Sequence, residues 1–183
     1  MENKIHLHDK SFKLFIPNAQ IEEAIDAVAA RLNRDYADAT DTDPVVLLCT
    51  LNGAIIFAAE LLKRVSFPLE LKACKLSSYD GIQSTGVVKA EVPLPACLEG
   101  RRVLIVEDIV DTGTTIETLM KQLQRHKVKD ARVCTLLLKP DVYKKNVKLD
   151  YVAMEIPNRF IVGFGLDYDE LGRNIKDIYV LDA

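Results

Sequence analysis

Apolar positions along the chain gather into short continuous runs separated by amphipathic stretches. Phe12 to Ile16 reads as a short strand stopped by Pro17-Asn18, with Asn18 placed to cap a helix. Ile21, Ala24, Ile25, Val28, Ala29 and Leu32 then recur at helical spacing, which predicts a helix with one buried face. Pro44 opens Val45-Val46-Leu47-Leu48-Cys49, apolar at every position, and Ala54 to Lys63 follows as a helix. Leu69 to Leu76 predicts a further strand. The pattern repeats with the apolar run Val103 to Val106, a helix over Thr114 to Lys127 carrying Ile116, Leu119, Met120 and Leu123 on one face, and a strand from Ala131 to Leu138. Tyr151 to Ile156, Phe160 to Gly163 and Ile178 to Leu181 add short strands. A strand that is apolar throughout is covered on both faces, and strands alternating with helices imply a parallel sheet with right-handed crossovers. The expected fold is α/β, a central mostly parallel sheet flanked by helices, in one domain over residues 1–183.

Two stretches stand apart from this rhythm. Ser77 to Gly86 (SSYDGIQSTG) is loop chemistry with two glycines and almost no apolar anchor, long for a compact domain and of the kind that carries function. Val45 to Leu62 is nearly all apolar, but Asn52-Gly53 splits it and Glu60 lies near its end. It fits a buried strand and helix better than a membrane span. The first ten residues hold charges and no apolar signal core, so the expected location is the cytoplasm, with no membrane partner.

Composition narrows the function. Apolar residues make up 49% and charged residues 28%, as in a globular protein. Lys and Arg number 24 against 27 Asp and Glu, a net charge of −3, which lacks the basic footprint of nucleic-acid binding. A few local donors can still hold a phosphate. Cys49, Cys74, Cys97 and Cys134 are widely spaced, so free thiols are expected rather than a metal site or disulfides. His6, His8 and His126 fall among charged residues and are expected to face solvent.

The chemistry concentrates in Val103 to Thr115, VLIVEDIVDTGTT. A buried strand runs into Glu107 and Asp108; Asp111 follows, then Thr112-Gly113-Thr114-Thr115 at a helix start. Ligands of parallel sheets sit beyond the carboxyl ends of the strands, where this cluster falls. Gly113 permits close backbone approach, and the free amides and helix dipole favour a phosphate. Carboxylates repel phosphate, so their presence needs another reason: they accept hydrogen bonds from a sugar diol or hold Mg²⁺. Acids beside a phosphate cradle suit a phosphorylated sugar with a divalent ion. Neither a P-loop nor a G-x-G-x-x-G follows any strand.

EDIVDTGTT resembles the phosphoribosyl-diphosphate-binding motif of the type I phosphoribosyltransferases, in the form of the hypoxanthine-guanine branch, where the acid at Asp111 is characteristic. The resemblance extends through LNGA (51–54), SSYDGIQSTG (77–86), LLLKP (136–140) and EIPNRFIVGFGLDYDELGRN (155–174), in the family's order. It implies the type I fold, with a mobile lid at about 77–86 and a small hood built from the N-terminal strand and about 155–183. It also implies Mg²⁺-dependent transfer of phosphoribosyl from phosphoribosyl diphosphate to a 6-oxopurine in purine salvage, by a homodimer or homotetramer. A non-catalytic sensor of nucleotide or phosphoribosyl diphosphate with the same fold is the alternative.

Residue by residue, the resemblance assigns the ribose hydroxyls and their Mg²⁺ to Glu107 and Asp108, with Asp167 as a second metal-binding carboxylate. Asp111, Thr112, Gly113, Thr114 and Thr115 would cradle the 5′-phosphate through backbone amides and hydroxyls, with Ile109 and Val110 among the substrate-binding residues. Asp111 would be the general base at the purine N7, a role that suits a carboxylate beside a ring proton lost as the C–N bond forms. Lys139 would face the exocyclic O6; an ammonium only donates, so adenine's amino group would leave a donor unpaired. Phe160 would stack on the purine, flanked by Arg159 and Ile161, and Arg173 would reach the pyrophosphate. Ser78 and Tyr79 lie in the lid. At Leu51-Asn52-Gly53-Ala54 many relatives carry L-K-G-G, so Asn52 replaces a lysine associated with pyrophosphate, and with Gly53 it offers only amide donors. A cis Leu51–Asn52 peptide is expected there.

Overall fold

The structure is a computed structural model that describes residues 4–77 and 89–182. Ser78 and Tyr79, and the lid expected around them as far as residue 86, lie outside the described residues. The elements in order are β1 (Lys4–Leu7), β2 (Lys10–Ile16), α1 (Asn18–Asp35), β3 (Val45–Thr50), α2 (Ile55–Leu62), β4 (Leu69–Ser77), β5 (Lys89–Val92), β6 (Arg102–Val110), α3 (Thr114–Arg125), β7 (Asp130–Leu138), β8 (Tyr151–Glu155), β9 (Ile161–Val162) and β10 (Ile178–Leu181).

The central sheet runs β5-β4-β3-β6-β7-β8, parallel from β4 to β8 with β5 antiparallel at one edge. Its middle strands are buried on both faces, as their unbroken apolar runs require. Val45, Leu47, Cys49, Leu104 and Val106 face α1 and α2, whereas Val46, Leu48, Val103, Ile105 and Val133 face α3. Helix α1 buries Ile21, Ile25, Val28, Ala29 and Leu32 of the stripe read from spacing, with Ala24 half-buried at its edge. Each fully buried Ile or Leu contributes about 1.5–3 kcal/mol of transfer free energy. A second, antiparallel sheet, β1-β2-β10-β9, joins the two ends of the chain into a hood. Ile16, Ile161, Ile178 and Val180 of the hood share one core with β3, α1 and α2.

Three local readings differ from the structure. Asn18 is the first helical residue rather than the cap: Pro17 holds the extended cap position, and the Asn18 side chain donates to Glu22 instead. Strand β6 does not stop at Val106 but continues through Glu107 and Asp108 to Val110, because β7 keeps pairing with it as far as Val110 and Leu138. Strands β1 and β5 are short edge strands of mixed polarity (KIHL and KAEV), which carry little apolar signal.

Candidate active site

Register brings the carboxyl ends of β3, β6, β7 and β8 to one rim. Cys49 pairs with Val106, Glu107 with Thr135, Val110 with Leu138, and Leu138 with Glu155. Thr50, Asp111, Lys139 and Ile156 are each one step further along. Past Asp111 the chain turns through Gly113, whose φ of +84° is left-handed and favours glycine. The Tyr143 ring backs this turn so closely that a β-carbon on Gly113 would lie 2.4 Å from it. Helix α3 begins at Thr114 with no side-chain cap. Glu117 N–H donates to the Gly113 carbonyl, and among the described residues no protein acceptor meets the amides of Thr112 to Ile116. A pocket of about 90 Å³, roughly three water volumes, opens there, lined by Glu107, Ile109, Val110 and Asp111 to Ile116. Free amides at a helix N-terminus favour an anion in it.

The acids sit beside this cradle in unequal settings. Glu107 is 7% exposed. Its Oε1 accepts the Thr50 hydroxyl at 2.8 Å and the Asp108 amide at 3.3 Å. Burial, then the adjacent Asp108 charge, pushes Glu107 well above the usual carboxylate range. Asp108 Oδ1 accepts the Ile109 amide at 2.8 Å, while Oδ2 faces the Gly53 backbone at a spacing with no room for a β-carbon. The Leu51–Asn52 peptide before Gly53 is cis, as expected. Among the described residues no Lys or Arg pairs with Glu107 or Asp108, and no three acids, histidines or cysteines meet as a metal set. Asp167 therefore does not join them.

Asp111 and Lys139 meet across adjacent strand ends. The Lys139 ammonium donates to Asp111 Oδ2 at 2.9 Å. The lysine side chain is 10% exposed and the aspartate 47% exposed, so the acceptor faces the opening and the donor lies beneath it.

In the hood, Arg173 binds Asp167 at 2.9 Å and donates to the Gly165 carbonyl at 2.9 Å. Asp167 also accepts the Glu170 amide. Gly165, at φ +98°, lies against the Gly53 carbonyl, so the Asp167–Arg173 loop abuts the cis turn and, through it, Asp108. Phe160 is 46% exposed, with Phe12 and Tyr168 rings 6.1 and 5.7 Å away. It lines a separate pocket with Lys13, Arg159, Val180 and Leu181, not the pocket of the threonine turn. Ile161 is buried in the core below.

Residues 17–169 match the phosphoribosyl transferase domain family. The chain belongs to the phosphoribosyltransferase family. It is 39% identical over 166 residues to the hypoxanthine-guanine phosphoribosyltransferase of Mycobacterium tuberculosis, covering 89% of this chain and 82% of that one. It is 36% identical over 178 residues to that of Staphylococcus epidermidis, covering 97% of each. A crystal structure of a Staphylococcus aureus hypoxanthine phosphoribosyltransferase superposes with a TM-score of 0.83 at 36% identity, over 92% of this chain and 90% of that one. The hypoxanthine phosphoribosyltransferase of Trypanosoma cruzi superposes at 0.85 and 33%, over 92% and 94%. The central parallel sheet with flanking helices is the type I phosphoribosyltransferase fold.

Within this phosphoribosyltransferase, Glu107 to Thr115, Asn52-Gly53 and Lys139 share the rim, with Asp167 and Arg173 behind the cis turn. Arg159 and Phe160 occupy the second pocket. Sequence reading missed Thr50, Tyr143 and Gly165. The hydroxyl that closes the apolar run before Leu51 was a signal for Thr50; Tyr143 and Gly165 gave none, because their contacts cross the fold.

Proposed function

We propose that the protein is a hypoxanthine/guanine phosphoribosyltransferase of purine salvage, a pentosyltransferase that joins a 6-oxopurine to phosphoribosyl diphosphate, releasing pyrophosphate and inosine or guanosine 5′-monophosphate. The observation that carries the base specificity is the Lys139–Asp111 pair, a buried donor beside an exposed acceptor. A 6-oxopurine presents a carbonyl next to the imidazole nitrogen that must lose a proton, the complement of that pair. Lys139 donates to O6, and Asp111 accepts the N7 proton as the C–N bond forms. Adenine would set an amino group against the ammonium.

The free amides and hydroxyls of Thr112 to Thr115 hold the 5′-phosphate with the backbone of Ile109 and Val110, and Glu107 and Asp108 meet the ribose hydroxyls. Two adjacent carboxylates, one buried and neither paired with a Lys or Arg among the described residues, fit a divalent ion. With fewer than three protein ligands it suits Mg²⁺, which keeps water and phosphate oxygens around it. When bound, Mg²⁺ neutralises charge on the leaving pyrophosphate. Asp167, which stands apart from that pair, is a second Mg²⁺-binding carboxylate, and Arg173 and the amides of Asn52 and Gly53 face the pyrophosphate. Arg159, Phe160 and Ile161 close on the base from the hood. Residues 1–183 act as one domain, because hood and central sheet share a core. Among the described residues no helix is long and apolar enough to cross a membrane. A homodimer or homotetramer in the cytoplasm is the proposed form, and light scattering reads its oligomeric state.

The test is incubation with phosphoribosyl diphosphate, each purine base and Mg²⁺. Mononucleotide should form with hypoxanthine and guanine, not with adenine, and formation should stop on chelation and resume with added Mg²⁺. Binding of phosphoribosyl diphosphate without any product would instead identify a sensor.

A further inference from the structure

We propose that Thr50 is a positioning residue for phosphoribosyl diphosphate, acting through the carboxyl of Glu107. The inference rests on the reading above, that Glu107 meets the ribose hydroxyls. Thr50 closes β3 at the point where it lies beside Glu107 on β6, 57 residues away in sequence. Its hydroxyl lies 2.8 Å from Glu107 Oε1 and 2.9 Å from the Val106 carbonyl. Both groups are 7% exposed, so water competes poorly for these bonds.

The geometry sets which oxygen of Glu107 a ligand can use. Both protein donors, the Thr50 hydroxyl and the Asp108 amide, fall on Oε1. Among the described residues no hydroxyl or backbone amide donates to Oε2, and the Asp108 carboxyl lies against that of Glu107. Glu107 nevertheless lines the pocket of the threonine turn. Thr50 therefore fixes the rotation of the carboxyl about its terminal torsion, a broad and weakly restrained one in an unpartnered glutamate, so that Oε2 is held for the sugar. The same strand runs from Thr50 directly into the cis Leu51–Asn52 turn and Gly53, which packs on Asp108. One hydroxyl thus ties the end of β3 to the first acid, and the following glycine sits against the second.

Thr50→Val removes the hydroxyl and keeps the shape; Thr50→Ser keeps the hydroxyl and loses only a methyl. Phosphoribosyl diphosphate binding, measured by calorimetry with Mg²⁺, should weaken about tenfold in Thr50→Val. KM for phosphoribosyl diphosphate should rise in parallel while KM for hypoxanthine stays within about twofold. Thr50→Ser should recover wild-type values within about twofold. In a Glu107→Gln background the valine substitution should add less than about twofold, since its route is already altered. Unchanged phosphoribosyl diphosphate affinity in Thr50→Val, an equal rise in both KM values, or the same tenfold loss in the Glu107→Gln background would each overturn the proposal. If Thr50→Val is too unstable to assay, Thr50→Ala replaces it with the same expectation: about tenfold weaker binding that Thr50→Ser does not show supports the role, and wild-type binding by Thr50→Ala refutes it. Failure of the wild-type protein itself to bind phosphoribosyl diphosphate would refute the underlying functional reading, a separate outcome.

Discussion

Gly53→Ala tests how closely the cis turn and the acids are fitted. A β-carbon on Gly53 would lie 1.7 Å from Asp108 Oδ2 and 2.6 Å from its Cγ, so the carboxyl must retreat by about 1.7 Å to reach ordinary contact. The turn cannot yield in the other direction, because Gly165 already lies against the Gly53 carbonyl. A retreat of that size breaks the 2.8 Å bond from the Ile109 amide to Asp108 Oδ1. Hydrogen bonds to charged groups contribute about 1.5–3 kcal/mol. At about 2–4 °C per kcal/mol for a chain of this size, Tm should fall by about 3–12 °C. Activity should suffer more than stability. Misplacing a substrate-holding group by about 1 Å can cost on the order of 100-fold in rate. Gly100→Ala is the control: its φ of +71° makes any β-carbon costly by about 1–2 kcal/mol, but no atom lies within 4 Å of that position and it is remote from the rim. The two variants should lose similar stability, and only Gly53→Ala should lose kcat/KM for phosphoribosyl diphosphate, by on the order of 100-fold. Thermal melts and steady-state kinetics on both decide it. A Gly53→Ala enzyme within about threefold of wild type would sink the assignment of Asp108 to the sugar.

Other outcomes follow from the same geometry. Asp111→Asn removes the proton acceptor but keeps the shape, so kcat should fall by about 10²–10⁴-fold while phosphoribosyl diphosphate binding, read by calorimetry, is nearly unchanged. Lys139→Gln replaces a pure donor with a group that both donates and accepts; the hypoxanthine-to-adenine ratio of kcat/KM should narrow by at least about tenfold, and an unchanged ratio would remove Lys139 from base selection. Among the thiols only Cys97 is exposed, and burial pushes Cys49 up to about 11 and Cys74 up to about 12. One thiol per chain should react with an alkylating reagent at pH 8 in the native state, and all four in denaturant, counted by mass. Because the folded state holds the Cys49 proton more tightly than the unfolded state, its contribution is complete below about pH 9 and is lost as pH climbs from 9 to 11. Stability measured by urea unfolding should therefore decline across that window, and less steeply in Cys49→Ala.

By itself the sequence determined the elements and the local chemistry. Val45 to Cys49 and Val103 to Val106 are apolar at every position, and only a strand covered on both faces buries such a run. The threonine turn was legible because its parts are neighbours in the chain: a strand end, an acid, a glycine and a helix start. The tertiary structure decided everything that depends on register between strands. It placed the Lys139 ammonium on Asp111, the Thr50 hydroxyl on Glu107 and the Gly53 backbone on Asp108. It also carried β6 past its acids, since pairing with β7 outweighs the local preference of Glu107 and Asp108, and it set Phe160 in a pocket apart from the threonine turn. Side-chain type and spacing along a chain report which face is buried. Which carboxyl meets which donor is settled only when strands distant in sequence are aligned residue against residue.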